Sequence, residues 1–135
     1  MSNAIFYCVR GGRYVLIMLS ARRKQLSERG LAVVRHIVWW TLKPEADGRS
    51  AEENAELMKK AARGLMGRIP GLLSLDISSA PLQSSTVPLH LVLCSTHTDE
   101  EALKGYAVHP LHLECINIMK NVAESRQALD YEIQE

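Results

Sequence analysis

The sequence predicts an α+β domain with the ferredoxin-like order of elements, βαββαβ, and an antiparallel four-stranded sheet. Within residues 33–135, four runs rich in β-branched and aromatic residues alternate with helical stretches, whose apolar residues recur about every 3.6 positions. A motif of the form S/T-x-x-E opens each helical stretch, which is typical of a helix N-terminus. The two middle strands are joined by residues 80–88, a turn-rich segment of hairpin length. This split βαβ order places both helices on one face of the sheet.

The bulk composition indicates an ordinary globular chain. It has 135 residues, of which 47% are hydrophobic and 23% charged, enough for one domain with a core. A net charge of +1 gives no overall attraction to nucleic acid or to an anionic membrane, and we expect neither as a partner. The apolar run at residues 14–21 is shorter than the roughly 18 residues of a membrane span. It also precedes its basic residues, whereas a secretory signal has them first.

The first 32 residues differ in charge from the rest. Residues 1–30 contain six basic residues and one acidic residue, a net charge of +5, which leaves −4 for residues 31–135 of a chain whose total is +1. A basic arm is compatible with nucleic-acid binding, but these basic residues are interrupted by apolar runs rather than clustered. We therefore interpret residues 1–32 as an N-terminal extension, a hairpin or a linker, and residues 33–135 as the domain.

The three cysteines, Cys8, Cys94 and Cys115, are widely spaced and form no C-x-x-C motif. An odd number without a pairing pattern indicates reduced thiols and a cytoplasmic location. Cys94 lies in a predicted strand and Cys115 in a predicted helix, so we expect small buried side chains rather than nucleophiles.

The first strand of the domain is predicted over residues 33–42, VVRHIVWWTL. Alternation puts one set of side chains on one face and the other set on the opposite face. The first set is Val34, His36, Val38, Trp40 and Leu42, and the second is Arg35, Ile37, Trp39 and Thr41. Because both sets include apolar residues, we expect both faces of this strand to be covered.

Two capping boxes predict where the helices begin. Ser50 with Glu53 opens a helix whose apolar spacing continues to Ile69, before Pro70-Gly71 ends it. Thr98 with Glu101 opens a second helix, which reaches about Tyr106 and breaks at His109-Pro110. A longer helix follows, with Ile116, Met119 and Val122 as its apolar side, and residues 129–134 form the last strand.

Two helices cover only one face of a four-stranded sheet. The other face then exposes a tryptophan and further apolar residues, which in a monomer marks an interaction surface. A second copy stacked sheet to sheet is the simplest partner, so we expect a homodimer with twofold symmetry.

Four segments together resemble the stress-responsive A/B-barrel (Dabb) family of the dimeric α+β-barrel superfamily. They are VRHIVWWTLKPEA, GRIPGLLSLDIS, LVLCSTHTDEEALKGYAVHPLH and ALDYEI, and the likeness covers residues 33–134. Its most specific part is Y-x-x-H-P-x-H with D-Y about twenty residues later. The resemblance implies a homodimer whose paired sheets form a barrel, with a cavity in each protomer between sheet and helices.

The resemblance also implies roles for particular residues. A few members, such as the plant polyketide cyclase that makes olivetolic acid, use a tyrosine and a histidine of this motif, which match Tyr106 and His112. A neutral imidazole can remove a proton next to a carbonyl while a phenol holds the enolate oxygen. His36 and Asp130 match further residues of the cavity. We therefore expect His36, Tyr106, His112 and Asp130 to bind a small apolar or aromatic ligand. A further tyrosine of the cyclase falls at Ala62, which argues against the same substrate.

Other readings of the motif stay open. His109 is placed to cap the helix that Pro110 begins, and Tyr106 and His112 can line a pocket without catalysis. His109 and His112 are spaced like metal ligands, but no Cys or carboxylate completes a set, so we expect neither metal nor cofactor. His97 is expected to be exposed. Three functions remain. The first is ligand binding, the second is catalysis as a cofactor-free cyclase, lyase or isomerase, and the third is a structural role as a stress-stability module.

Overall fold

A computed structural model describes residues 32–134, and the extension predicted for residues 1–32 lies outside this range except for Ala32. The elements of the described part are β1 (Val34–Leu42), β2 (Glu45–Ala46), β3 (Arg49–Ser50), α1 (Ala51–Arg63), β4 (Leu72–Ser78), β5 (Leu91–His97), α2 (Glu100–Val108), α3 (Pro110–Val122) and β6 (Ala123–Glu132).

The main sheet contains four antiparallel strands in the order β4-β5-β1-β6, and β2 and β3 form a small separate ribbon. Apart from the ribbon and the break between α2 and α3, the order of elements is βαββαβ. The predicted ferredoxin-like α+β fold is therefore confirmed. One core joins the sheet to the helices, and it includes Trp40 of β1, Met58 of α1 and Met119 of α3.

Strand β1 has the predicted alternation. Its buried residues face the helices and are Val34, His36, Val38, Trp40 and Leu42, while the four residues between them are half-buried. Trp40 is in the core and Trp39 points the other way, because successive side chains of a strand take opposite faces. Covering of both faces was expected for β1, but within residues 32–134 the face with Trp39 is only half-buried.

Helix α1 begins at the predicted capping box. The Ser50 hydroxyl accepts a hydrogen bond from the Glu53 N–H (3.2 Å), and the Glu53 carboxylate accepts one from the Ser50 N–H (2.8 Å). The end of the helix differs from the prediction, since α1 stops at Arg63 with Gly64 as its C-cap. Turns follow, in which Gly67 has a positive φ of 77° that a continuing helix excludes. Ile69 lies beyond the end of α1 but is still buried, so the apolar spacing continues past the last residue of the helix.

Helix α2 begins one residue later than predicted. Its N-cap is Asp99, whose carboxylate accepts a hydrogen bond from the Ala102 N–H (2.8 Å), so the predicted Thr98 cap is wrong. The Thr98 N–H instead donates to the Gly71 carbonyl (2.9 Å), which ties the end of β5 to the start of β4. Gly71 has φ +79°, and a Cβ there would lie 2.5 Å from the Ala102 Cβ.

Helix α3 begins at the predicted His109-Pro110 break. The His109 imidazole accepts a hydrogen bond from the Leu111 N–H (3.2 Å), and Pro110 is the first helical residue. The buried residues of α3 are Cys115, Met119 and Val122. Ile116 was predicted on this side but is 43% exposed. Cys115 is buried as expected, whereas Cys94 is half-buried. Within residues 32–134, no helix is long and apolar enough to cross a membrane.

Candidate functional site

A cavity of about 380 Å³ lies between the sheet and the helices. Most of its lining is apolar and comes from β1, α1 and the turn after it, β5 and α3, including Val38, Trp40, Met58, Leu65, Leu93 and Met119. Its polar lining includes His36, Tyr106 and His112, three of the four residues expected to bind a ligand. The volume and the apolar lining are those of ordinary small-molecule sites.

Tyr106 is the centre of the polar end. It is 2% exposed, and three imidazoles surround its ring. The ring centroid of His112 is 4.2 Å away, that of His97 4.8 Å and that of His36 6.1 Å. Burial raises the pKa of Tyr106 to about 12, with Cys115 adding to the rise and the charge of Arg126 opposing it. The phenol therefore keeps its proton near neutral pH and can donate a hydrogen bond.

Asp130 lies behind His36 rather than on the cavity wall. The two residues are directly opposite on β6 and β1, and the distance from His36 Nδ1 to Asp130 Oδ1 is 2.5 Å. Asp130 is not among the cavity-lining residues, and it contacts the cavity through His36. As an ionised carboxylate only accepts hydrogen bonds, Nδ1 of His36 carries the proton that is shared. Asp130 thereby orients the His36 ring.

His112 is held in one tautomer. Its Nδ1 lies 3.1 Å from the carbonyl oxygen of Ala107, and because a carbonyl only accepts, Nδ1–H is the donor. Burial lowers the pKa of His112, while the hydrogen bond to Ala107 raises it and the charge of His36 lowers it. The ring is neutral at pH 7, so its Nε2 is an unprotonated base.

His97 belongs to this cluster, which the sequence interpretation missed. It was expected to be exposed, but it is fully buried, and its Nε2 lies 2.9 Å from Ser95 Oγ. Its Nδ1 has no hydrogen-bond partner among residues 32–134. Burial lowers the pKa of His97 to about 4, and the charge of His36 contributes to the lowering. The alternation of β5 was the available signal, because Leu91, Leu93 and Ser95 precede His97 on the buried face.

Metal binding finds no support in the described residues. Residues 32–134 contain no group of three or more His, Cys, Asp or Glu side chains placed to hold a metal ion. Of the pair with metal-like spacing, His109 uses its Nδ1 in the helix cap and His112 uses its Nδ1 at Ala107.

Solved structures share this arrangement of strands and helices. A dimeric protein of unknown function with a ferredoxin-like fold from Bacteroides fragilis is 26% identical over 75% of this chain and 96% of that chain, with a TM-score of 0.63. A dimeric ferredoxin-like protein of unknown function from Thermobifida fusca is 20% identical over 76% and 92%, with a TM-score of 0.64. Hydroxynitrile lyase from Passiflora edulis is 17% identical over 78% and 96%, with a TM-score of 0.65. The chain is thus similar to a class of ferredoxin-like α+β proteins.

The sequence itself identifies the family. Residues 34–133 match the model of the stress responsive A/B barrel domain, Dabb. The chain therefore belongs to the Dabb family, as its motifs predicted. A comparison with curated proteins finds no match.

Proposed function

We propose that this chain is a homodimeric, cytoplasmic protein that binds a small apolar or aromatic molecule in the cavity of each protomer. The observation that carries the proposal is the cavity of about 380 Å³, whose apolar walls end at the rings of His36, Tyr106 and His112. A structural module needs no such space, since protein interiors are otherwise close-packed. The apolar walls supply affinity, and the three polar rings orient the ligand.

The homodimer is supported by the outward face of the sheet. Ile37 and Trp39 of β1 lie on this face, and the exposed Leu129 and Tyr131 of β6 share it by register. A contiguous apolar face on a protomer marks an association surface, and a second copy with the same face is self-complementary. The relatives from Bacteroides fragilis and Thermobifida fusca are described as dimeric, which supports the same proposal.

A second candidate is a cofactor-free cyclase, lyase or isomerase. It is favoured by the tautomer of His112, whose Nδ1 donates to Ala107 and whose Nε2 is free to accept a proton. In such a reaction His112 would remove a proton next to a carbonyl, and the Tyr106 hydroxyl would donate a hydrogen bond to the enolate oxygen. Asp130 would act through His36 by orienting it.

The ligand-binding proposal is tested with a neutral fluorescent probe, N-phenyl-1-naphthylamine, whose emission rises in apolar surroundings. We expect saturable binding by the full chain and a loss of roughly tenfold or more in affinity for Ala62→Phe, because a ring at this buried wall position fills the cavity. Ile116→Trp, at a more exposed wall position, is a second blocking variant. Ala80→Phe is the control, since Ala80 is exposed and outside the lining. Absence of saturable binding, or equal binding by both blocking variants, would contradict the proposal.

A further inference from the structure

Two basic side chains are among the residues that line the cavity. Lys120 is in the last turn of α3, and Arg126 is on β6, directly opposite Trp40 of β1. No Asp or Glu side chain is among the lining residues, and within residues 32–134 neither base has a carboxylate partner in an ion pair. The cavity therefore offers two positive charges that the described part of the protomer does not neutralise.

A third donor belongs to another of the lining residues. The Nε1 atom of Trp40 is buried and has no hydrogen-bond partner among residues 32–134. Trp40 is itself a lining residue, 7% exposed, and its backbone partner in the sheet is Arg126. An indole N–H can only donate, and so can ammonium and guanidinium groups. A buried donor without a partner is destabilising until an acceptor reaches it.

Arg126 also acts on the polar end of the site. Its charge opposes the rise in the pKa of Tyr106 and contributes to the lowering of the pKa of His112. Both residues line the same cavity as Arg126. A negatively charged ligand group beside Arg126 would therefore be within electrostatic reach of the tyrosine and histidine that the second candidate function uses.

We infer that the ligand is an amphipathic organic acid, with an apolar body in the cavity and a carboxylate bound by Lys120, Arg126 and the Trp40 indole N–H. This inference rests on the proposed function and specifies its ligand class. Guanidinium binds a planar carboxylate through two parallel hydrogen bonds, and lysine adds a second positive charge. At roughly 30 Å³ for each water-sized group, the cavity holds about a dozen such groups, which is the size of a ten-carbon fatty acid.

The test compares two molecules of the same length, decanoate and decan-1-ol, as competitors of the neutral probe bound to the full chain at about pH 7, where the acid is ionised. We expect decanoate to displace the probe at a roughly tenfold lower concentration than decan-1-ol. This preference should shrink as salt is raised from about 0.05 M to about 0.5 M, whereas displacement by the alcohol should not weaken.

The double variant Lys120→Met/Arg126→Met should lose the preference for decanoate and keep its affinity for decan-1-ol. Lys60→Met/Arg63→Met is the matched control, because it removes the same two charges from exposed positions of α1 outside the cavity lining. Its preference should equal that of the unmodified chain.

The outcomes separate the two proposals. Equal displacement by the acid and the alcohol, or a preference that survives in Lys120→Met/Arg126→Met, overturns the carboxylate inference and leaves ligand binding standing. Probe binding that neither competitor reverses also overturns the inference alone. Failure of the neutral probe to bind overturns both.

Discussion

The rings of Tyr106 and His112 lie with their centroids 4.2 Å apart and their planes inclined by 34°. They belong to different helices, α2 and α3, which meet at the His109-Pro110 break. The break turns the chain so that two side chains six positions apart face each other, and the Ala107 carbonyl before it holds the His112 ring. The helix junction therefore shapes the polar end of the cavity, because it sets the positions of both rings.

Proton abstraction by His112 predicts isotope exchange in a bound ketone. In D₂O the chain should accelerate deuterium incorporation next to the carbonyl of an aryl ketone such as phenylacetone, followed by NMR. We expect His112→Gln to reduce the acceleration by about 10²-fold or more, and Tyr106→Phe to reduce it less, because each group stabilises a different part of the transition state. His90→Gln, at an exposed position outside the cavity lining, is the control. Exchange that survives in His112→Gln would reject the base assignment.

His97 predicts a loss of stability in acid. Its folded-state pKa of about 4 lies below the ordinary value of 6.5, so between these pH values the unfolded chain binds more protons. Stability is then present above about pH 6.5 and declines toward pH 4 by about 2–3 kcal/mol, measured as urea midpoints. His112 shifts in the same direction and adds to the decline. His97→Phe should flatten the dependence. An unchanged slope in His97→Phe would contradict the assignment.

Removing the helix cap at His109 should cost a modest amount of stability, and another capping residue should restore it. His109→Ala removes the acceptor of the Leu111 N–H and should lower the free energy of unfolding by about 1 kcal/mol. Asn is a strong N-cap, so His109→Asn should restore most of the loss. Equal destabilisation by both variants would mean that packing of the imidazole, not the cap, supplies the stability.

Gly→Ala substitutions at three positions should change the free energy of unfolding by amounts that differ in a predictable order. Gly71→Ala should cost about 2–4 kcal/mol, because φ is +79° and the new Cβ would lie 2.5 Å from the Ala102 Cβ. Gly48 has φ +75° with open space around it, so Gly48→Ala should cost only about 1 kcal/mol. Gly105 is inside α2 with nothing near its Cβ position, and Gly105→Ala should stabilise by about 0.5–1 kcal/mol. Chemical unfolding of the three variants checks the order, and a Gly71→Ala chain as stable as Gly48→Ala would refute the close contact.

The outward face of the sheet predicts a charge-sensitive dimer. Ile37→Glu/Trp39→Glu places two carboxylates at the centre of the apolar face, and their desolvation opposes association. Sedimentation should give twice the protomer mass for the unmodified chain and the protomer mass for the variant. Lys60→Glu, on an exposed position of α1, should remain dimeric. A dimer that withstands the double substitution would place the interface elsewhere.

Local patterns predicted the parts of the fold that depend on local physics. The alternation of β1, the Ser50 capping box and the His109-Pro110 break each involve neighbouring residues, and all three are confirmed. The burial of His97 was indicated by the alternation of β5 and was missed. The predicted Thr98 cap was wrong because of a contact distant in sequence, the hydrogen bond from the Thr98 N–H to the Gly71 carbonyl.

The candidate site was only partly predictable for the same reason. The motif indicated Tyr106 and His112, and alternation placed His36 on the same buried face as the core. The position of Asp130 behind His36 depends on the β1–β6 register, and the size of the cavity depends on the gap between two layers. Neither the strand register nor the gap between the layers is encoded in a local pattern. The placement of Arg126 beside Trp40 depends on the same register, and it was also missed.

The pairing of His36 with Asp130 joins residues 94 positions apart, on the first and last strands of the main sheet. Next to it, the Ile133 N–H donates to the Val33 carbonyl (2.8 Å). During synthesis on the ribosome, β1 emerges long before its partner, so the cavity floor stays incomplete until β6 has left the exit tunnel. Any ligand of this cavity would therefore bind only after the domain has been translated to its last strand, and a prematurely terminated chain would be unable to bind it.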